Sequence, residues 1–270
     1  MWFRFRQNRL AMVSVGVLLA IVLSALAAPV LTPYDPTYID VGKKELAPGP
    51  DHPFGTDRLG RDIFSRAVWG ARVSLGVALL AVSLGSLIGV LLGAVAGYTG
   101  GTLDAVIART IDAMLAMPTF FLLVTIQSLF PPSVANVVFI IGATSWMALA
   151  RIVRGQFLLM RGREFVEAAR ALGAGPGRII FRHILPNVSS QIIVFFTLGV
   201  ADAVLVESAL SFLGLGVPPY QPSWGNMLTD GQVGILGGAW WVAFFPGLMI
   251  LLTALSVNFV GDGLQESLFA

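Results

Sequence analysis

The chain has 270 residues, of which 56% are hydrophobic and only 12% charged, with a mean hydropathy of +0.82. A soluble domain carries about 25% charged residues, so this composition excludes an ordinary soluble enzyme and describes an all-α polytopic membrane protein. The net charge of +2 is too small to argue for a nucleic-acid partner, and the absence of cysteine excludes disulfides and thiolate sites.

Arg4, Arg6 and Arg9 precede an uncharged run, Leu10–Leu31, of 22 residues. As a helix that run is about 33 Å long, enough to cross a bilayer. Ala25-Leu26-Ala27 resembles a signal-peptide cleavage site. The run nevertheless exceeds the roughly 7–15-residue core of such a peptide and is read as an uncleaved anchor. The three arginines place its N-terminal end in the cytoplasm.

Thr32–Arg72 follows as a polar outer loop with six acids, six bases and five prolines. It cannot cross lipid, because its Pro-broken backbone has no way to satisfy its own polar groups. Asp57, Arg58, Arg61, Asp62 and Arg66 suit ion pairing on a short surface helix. Both a solvated loop and a structured outer cap fit these residues. The chain divides here into an N-terminal anchor with its loop, 1–72, and a transmembrane domain, 73–270.

Val73–Tyr98 is the second expected span. Gly85, Gly89, Gly93 and Gly97 recur every four residues on one helical face, which predicts a close helix–helix seam. A Gly turn over Thr99–Thr102 leads to the third span, Leu103–Leu129. Arg109 and Asp112, three apart, are expected to pair near the cytoplasmic edge, with Asp104 close by. A structural cluster and a part in gating are both compatible with these charges. Pro118 is expected to kink this helix. Pro131-Pro132 turns the chain outside, and Val134–Met160 returns inward, with Arg151 and Arg154 expected to snorkel to the interface.

Glu164–Asn187 is the longest polar interruption of the second half, within a cytoplasmic loop at 161–187, and no Lys or Arg follows Arg182. A short helix is predicted there. Phe165, Ala169 and Leu172 share one face, and Arg163, Glu167 and Arg170 share another, at pairing distance. Gly173 is placed to take a left-handed cap, and Gly175-Pro176-Gly177 to stop the helix. A capped amphipathic helix between two apolar spans suits docking into another protein's groove.

Asn187–Leu213, the fifth span, holds Asp202 near mid-depth and Glu207 farther out. Five residues apart, they lie about 140° apart around a helix. One is expected to face a translocation pathway and the other to bond a neighbouring helix; the alternative is that both only bond helices. Leu215–Ala239 is an outer segment whose Tyr220 and Trp224 suit the interface. Trp240–Val260 is the sixth span, in which Pro246-Gly247 is the expected site of a bend, and Gly261–Ala270 is a short inner tail. Six spans put both termini in the cytoplasm.

Four stretches resemble one family. Glu167-Ala168-Ala169, Gly173 and Leu185-Pro186 match the EAA loop of ABC-importer membrane subunits, with His183 where an Ile is usual. His183-Ile184-Leu185-Pro186-Asn187 is similar to the variant of dipeptide, oligopeptide and nickel importers. The run His52-Pro53-Phe54-Gly55-Thr56-Asp57 with Arg58-Leu59-Gly60-Arg61-Asp62 points to the same subgroup. So do Pro222–Leu228, reading Pro-Ser-Trp-Gly-Asn-Met-Leu, and Gly261-Asp262-Gly263-Leu264.

The resemblance implies the type I ABC-importer permease fold in a prokaryotic plasma membrane. Phe165, Glu167, Ala168, Ala169, Arg170, Leu172 and Gly173 then dock an ATPase, and Asp202 and Glu207 are translocation-path candidates. It implies a second homologous permease subunit, two ATPase subunits that bind ATP and Mg, an extracytoplasmic solute-binding protein, and a peptide cargo. Nickel chelates and glutathione are the alternative cargoes.

The chain's own residues agree on catalysis. Lys43 and Lys44 are its only lysines and sit in no phosphate-binding loop. Common hydrolase signatures and clustered metal ligands are missing, so neither catalytic residues nor a cofactor are expected in the chain. A reading from another class, an ion-coupled secondary transporter titrating Asp202 and Glu207, lacks visible inverted repeats.

Overall fold

The computed structural model describes residues 2–269. Met1 and Ala270, the outer ends of the two expected inner tails, lie outside the described residues, as do the side chains of Trp2, Phe3, Arg4 and Phe269. The described chain is helical apart from its loops. α1 (Trp2–Gln7) leads to α2 (Arg9–Leu26), whose first turn is closed by the Asn8 side chain accepting from the Ala11 N–H. After a break at Ala27 a single turn, α3 (Ala28–Leu31), ends the anchor.

α4 (Ile63–Thr99) begins well before Val73, so part of the expected outer loop is helix. Asp62 starts it by accepting from the Ser65 N–H at 2.7 Å. α5 (Gly101–Leu115) and α6 (Thr119–Gln127) are bent by 85° at the break before Thr119, as Pro118 predicts. α7 spans Val134–Met160, the predicted limits, and α8 is Glu164–Ala171.

α8 ends before Gly175-Pro176-Gly177, as expected, and the same tripeptide also starts the next helix. α9 (Pro176–Arg178), a π-helical stretch over Ile179–Ile184 and α10 (Leu185–Phe212) form one apolar helix of 37 residues. Proline at a first helical turn lacks only an N–H that would be orphaned anyway. α11 (Trp224–Leu236) lies in the outer segment, and α12 (Trp241–Phe269) carries Pro246. The expected inner tail is helical too. Gly263 packs against Ala11 and Phe5, and Asn8 donates 3.0 Å to Glu266.

Among the described residues, five helices are long and apolar enough to cross a membrane, and six spans result if the bent α5–α6 pair is one. α4 and α7 run parallel along the glycine seam. A Cβ on Gly89 would lie 2.8 Å from the Trp146 carbonyl oxygen, and one on Gly93 or Gly97 would lie 2.6 Å from those of Ala150 or Arg154. Small residues permit this approach where lipid supplies no hydrophobic drive. α10 runs antiparallel to α4, with Ser74 meeting Glu207 and Gly199 meeting Val82.

The outer loop is a structured cap, without the short helix expected for its charged residues. Gly60, at φ +76°, sits where a Cβ would fall 1.7 Å from the Asp40 carbonyl oxygen, so only glycine fits. Arg61 Nε bonds Asp57 at 2.6 Å, and Arg61 Nη2 bonds Asp230 of α11 at 2.6 Å. Buried Arg66 lies 3.7 Å from Asp57 and 3.6 Å from Asp230. Asp62 takes a separate partner, His52, at 2.9 Å, and Tyr34 stacks on that imidazole. At the exposed edge, the Thr37 hydroxyl and N–H bond Asp35 and hold its carboxyl below the usual range. Trp224 is not at the interface but fully buried, donating its indole N–H to the Ala67 carbonyl at 3.0 Å. Tyr220 is exposed.

Candidate functional site: an inner-end helix and a mid-depth cavity

α8 links α7 to the α9–α10 helix at the end of the molecule shared with α1 and the close of α12. Its inward residues are Val166 and Ala169, both buried, and Val166 joins one apolar cluster with Val153, Phe157, Ile179, Ile184 and Val188. Phe165 and Leu172, grouped with Ala169 by the sequence pattern, are instead 42% and 89% exposed. The inward stripe is narrow: α8 packs on the π-helical stretch, and Val166 and Ala169 are its buried residues. The outward surface therefore combines Phe165, Glu167, Ala168, Arg170 and Leu172.

Gly173 takes φ +82°; its N–H bonds the Arg170 carbonyl, and the Ala174 N–H reaches back to that of Ala169. This is the left-handed closure expected from the sequence. The Glu167 pairs with Arg163 and Arg170 do not form: among the described residues no ion pair involves Glu167. Exposed pairs of this kind are worth only a few tenths of a kcal/mol, so solvent competes well. Beside α8 an open hollow of about 700 Å³ is lined by Met160, Arg163, Glu164, Phe165 and Asn187.

The expected Arg109–Asp112 pair is also replaced. Asp112 pairs with Arg151, and Asp104 takes Arg154 in a two-point contact at 2.5 and 2.9 Å. Arg151 and Arg154 therefore clamp α7 to α5 rather than snorkel. The forked guanidinium meets both Asp104 oxygens across the helix gap, a geometry the intrahelical neighbour does not offer. Arg161 sits over the Gly100 turn, where an added Cβ would lie 2.6 Å from its Nη1.

On α10 the two acids take different roles in the packing. Glu207 is fully buried. Its carboxylate accepts from Ser74 at 2.9 Å and Ser211 at 2.8 Å, and Ser74 in turn accepts the Trp224 N–H at 3.3 Å. Glu207 thus joins α10 to α4 and, through Ser74, to α11. Asp202 is exposed on the chain and lines a cavity of about 510 Å³ between α4, α6, α7 and α10. Sequence reasoning missed Asp230, Ser74 and the π stretch; Ser208 and Ser211, within one turn of Glu207, were a sign that this acid is bonded but not of Ser74.

Residues 89–269 match the family described as "Binding-protein-dependent transport system inner membrane component", and residues 1–48 match the "N-terminal TM domain of oligopeptide transport permease C". This chain belongs to that transport family. The permease is 42% identical, over 99% of its length and 83% of the relative's, to the dipeptide transport system permease protein DppC of Bacillus subtilis. It is 41% identical, over 99% of its length and 88% of the relative's, to the glutathione transport system permease protein GsiD of Salmonella typhimurium. Its fold is similar to an inward-facing MetNI methionine ABC transporter structure, with TM-score 0.60 at 17% identity, covering 76% of this chain and 97% of that one. The permease is a non-enzymatic inner-membrane component of an ABC importer, and its family works with a binding protein and an ATPase.

Proposed function

We propose that this permease carries di- and oligopeptides across the membrane and takes its energy from a separate ATPase through α8. The observation that carries the reading is the form of α8. It is a short helix, locked from beneath by Val166 and Ala169 and closed by Gly173, with Phe165 and Leu172 facing outward. It joins two long spans without a flexible linker. A conformational change is driven only by a differential contact in its two states. A stiff knob fixed to α7 and α10 converts a moving ATPase cleft into a moving pair of spans.

The complete assembly in this reading holds a second homologous permease subunit, two ATPase subunits that bind ATP and Mg, and an extracytoplasmic solute-binding protein. Residues 1–72 act as anchor and outer cap, and 73–270 as the permease core. Asp202 faces the pathway, and Glu207 holds helices together. Relatives named for dipeptide and for glutathione, itself a tripeptide, favour a peptide over a nickel chelate.

The test is ATP-driven uptake of a labelled dipeptide by proteoliposomes of the whole assembly. Glu167→Arg and Gly173→Pro should insert normally, lose copurification with the ATPase and lose uptake. If both variants copurify and transport at the wild-type rate, the docking role of α8 is lost.

A further inference from the structure

We infer that Asp202 is the counter-charge for the cargo in transit: its carboxylate accepts the free α-ammonium group of the peptide inside the mid-depth cavity. The inference rests on the importer reading above and names the feature of the cargo that the permease itself recognises.

Charge placement singles Asp202 out. Ion pairs among the described residues fall in two groups. One is the outer cap with Asp57, Arg61, Arg66 and Asp230; the other is the inner clamp with Asp104, Asp112, Arg151 and Arg154. Asp202 belongs to neither, and no described side chain or backbone group bonds its carboxylate. Gly199, one turn away, packs on Val82 near the middle of α4, so Asp202 stands far from both charged ends. An ionisable group at such depth is retained for a function unless it is glue. Glue is already supplied by Glu207, which is buried and saturated by serine hydroxyls.

The cavity fits this task. Its volume of about 510 Å³ lies within the roughly 300–1,000 Å³ typical of small-molecule sites. Its lining is apolar apart from Asp202 and a few hydroxyls, and it holds no Lys, Arg or His. Thr144 and Ser145 spend their hydroxyls on the carbonyls of their own helix, whereas Ser86 and Thr119 have no partner among the described residues. These two are free to meet peptide amides. A lone carboxylate in apolar walls attracts a cation and repels an anion, and an ammonium with three N–H donors matches it. A bound metal is disfavoured, since the described residues hold no group of three His, Cys, Asp or Glu able to ligate one.

Two measurements on the reconstituted assembly test this. In the first, an apolar carbodiimide that enters the cavity and modifies accessible carboxylates is applied to the wild type, with modification of Asp202 read by mass spectrometry. Ala-Phe should protect Asp202 at least fivefold, and N-acetyl-Ala-Phe should not. Equal protection by both, or by neither, overturns the inference. In the second, Asp202→Asn should copurify with its partners while uptake of Ala-Phe falls about tenfold, and Asp202→Glu should recover at least half. Wild-type uptake by Asp202→Asn, or loss in both variants alike, overturns it. A wild-type assembly without ATP-driven peptide uptake defeats the importer reading instead, and the protection measurement still decides the role of Asp202.

Discussion

Arg61 Nη2 lies 2.6 Å from Asp230 Oδ2 and ties two segments 169 positions apart. Asp230 also faces Arg58 at 3.4 Å and buried Arg66 at 3.6 Å. One carboxylate from α11 thus balances three guanidinium groups from the outer cap and the start of α4, with Asp57 as the second acid.

Asp230→Ala should therefore destabilise the cap more than its modest exposure suggests. Removing one partner of a buried pair costs about 3–5 kcal/mol, because the remaining charge is left uncompensated. The sign is clear here, since Arg66 is 1% exposed. The check is limited proteolysis from the outer face, where loop 32–62 should become cleavable. Unchanged protection would mean that Asp57 alone holds the arginines.

The glycine seam gives a second expectation. A Cβ on Gly93 would meet the Ala150 carbonyl oxygen at 2.6 Å and the Val153 Cβ at 2.8 Å. Both atoms belong to rigid parts of α7, so the helices must separate. Gly93→Val should cost about 1–3 kcal/mol or more by overpacking, read as a lowered unfolding temperature in detergent. Gly76→Ala on the same helix, with nothing within 4 Å of the added Cβ, should be nearly neutral.

The spans, the seam, the Pro118 break and the Gly173 closure were legible because each depends on local chemistry or on one helical period. Gly85, Gly89, Gly93 and Gly97 announce a seam whatever its partner is. Partner identity was not legible. Asp230 is a single acid in a glycine-rich stretch, and its arginines come from the other end of the chain. Arg109 and Asp112 satisfy the helical pairing rule, yet Arg151 outcompetes Arg109 from a different helix. Pro176 was legible by half: the stop of α8 before it was expected, but not the helix that begins on it, since proline also suits a first helical turn. The division of labour between Asp202 and Glu207 was legible only as an angle; Ser74, 133 positions away, decides which acid is bonded.

Glu207 supplies the third expectation. Every group that bonds its side chain is a serine hydroxyl. Glu207→Gln keeps the size and one carbonyl oxygen, and Ser74 or Ser211 can rotate to accept from the new amide, so the variant should assemble with little loss. Glu207→Leu strands the Ser74 and Ser211 hydroxyl donors in the core, while the Trp224 N–H keeps its acceptor on Ser74. Unsatisfied buried polar groups cost about 1–3 kcal/mol each. Thermal unfolding of the two variants should separate them clearly, and equal loss in both would point to a requirement for the negative charge itself.

The last expectation concerns the outward face of α8. Leu172 is 89% exposed and contributes little to the fold of this chain, whereas Val166 beneath it is fully buried. Leu172→Ala should leave thermal stability unchanged and weaken ATPase copurification, since a large apolar residue in a partner pocket is worth about 2 kcal/mol or more when truncated. Val166→Ala should do the reverse in order: it opens a cavity under the helix, lowers stability by about 1 kcal/mol or more, and weakens coupling only as α8 loosens. Gly173→Ala lies between them. It forces φ +82° on a side-chain-bearing residue, at roughly 1–2 kcal/mol, with no neighbour within 4 Å to clash. Measuring unfolding temperature and copurification on the same three preparations tells a contact surface from a merely structural helix. If copurification simply tracks stability across all three, the exposed face of α8 makes no contact of its own.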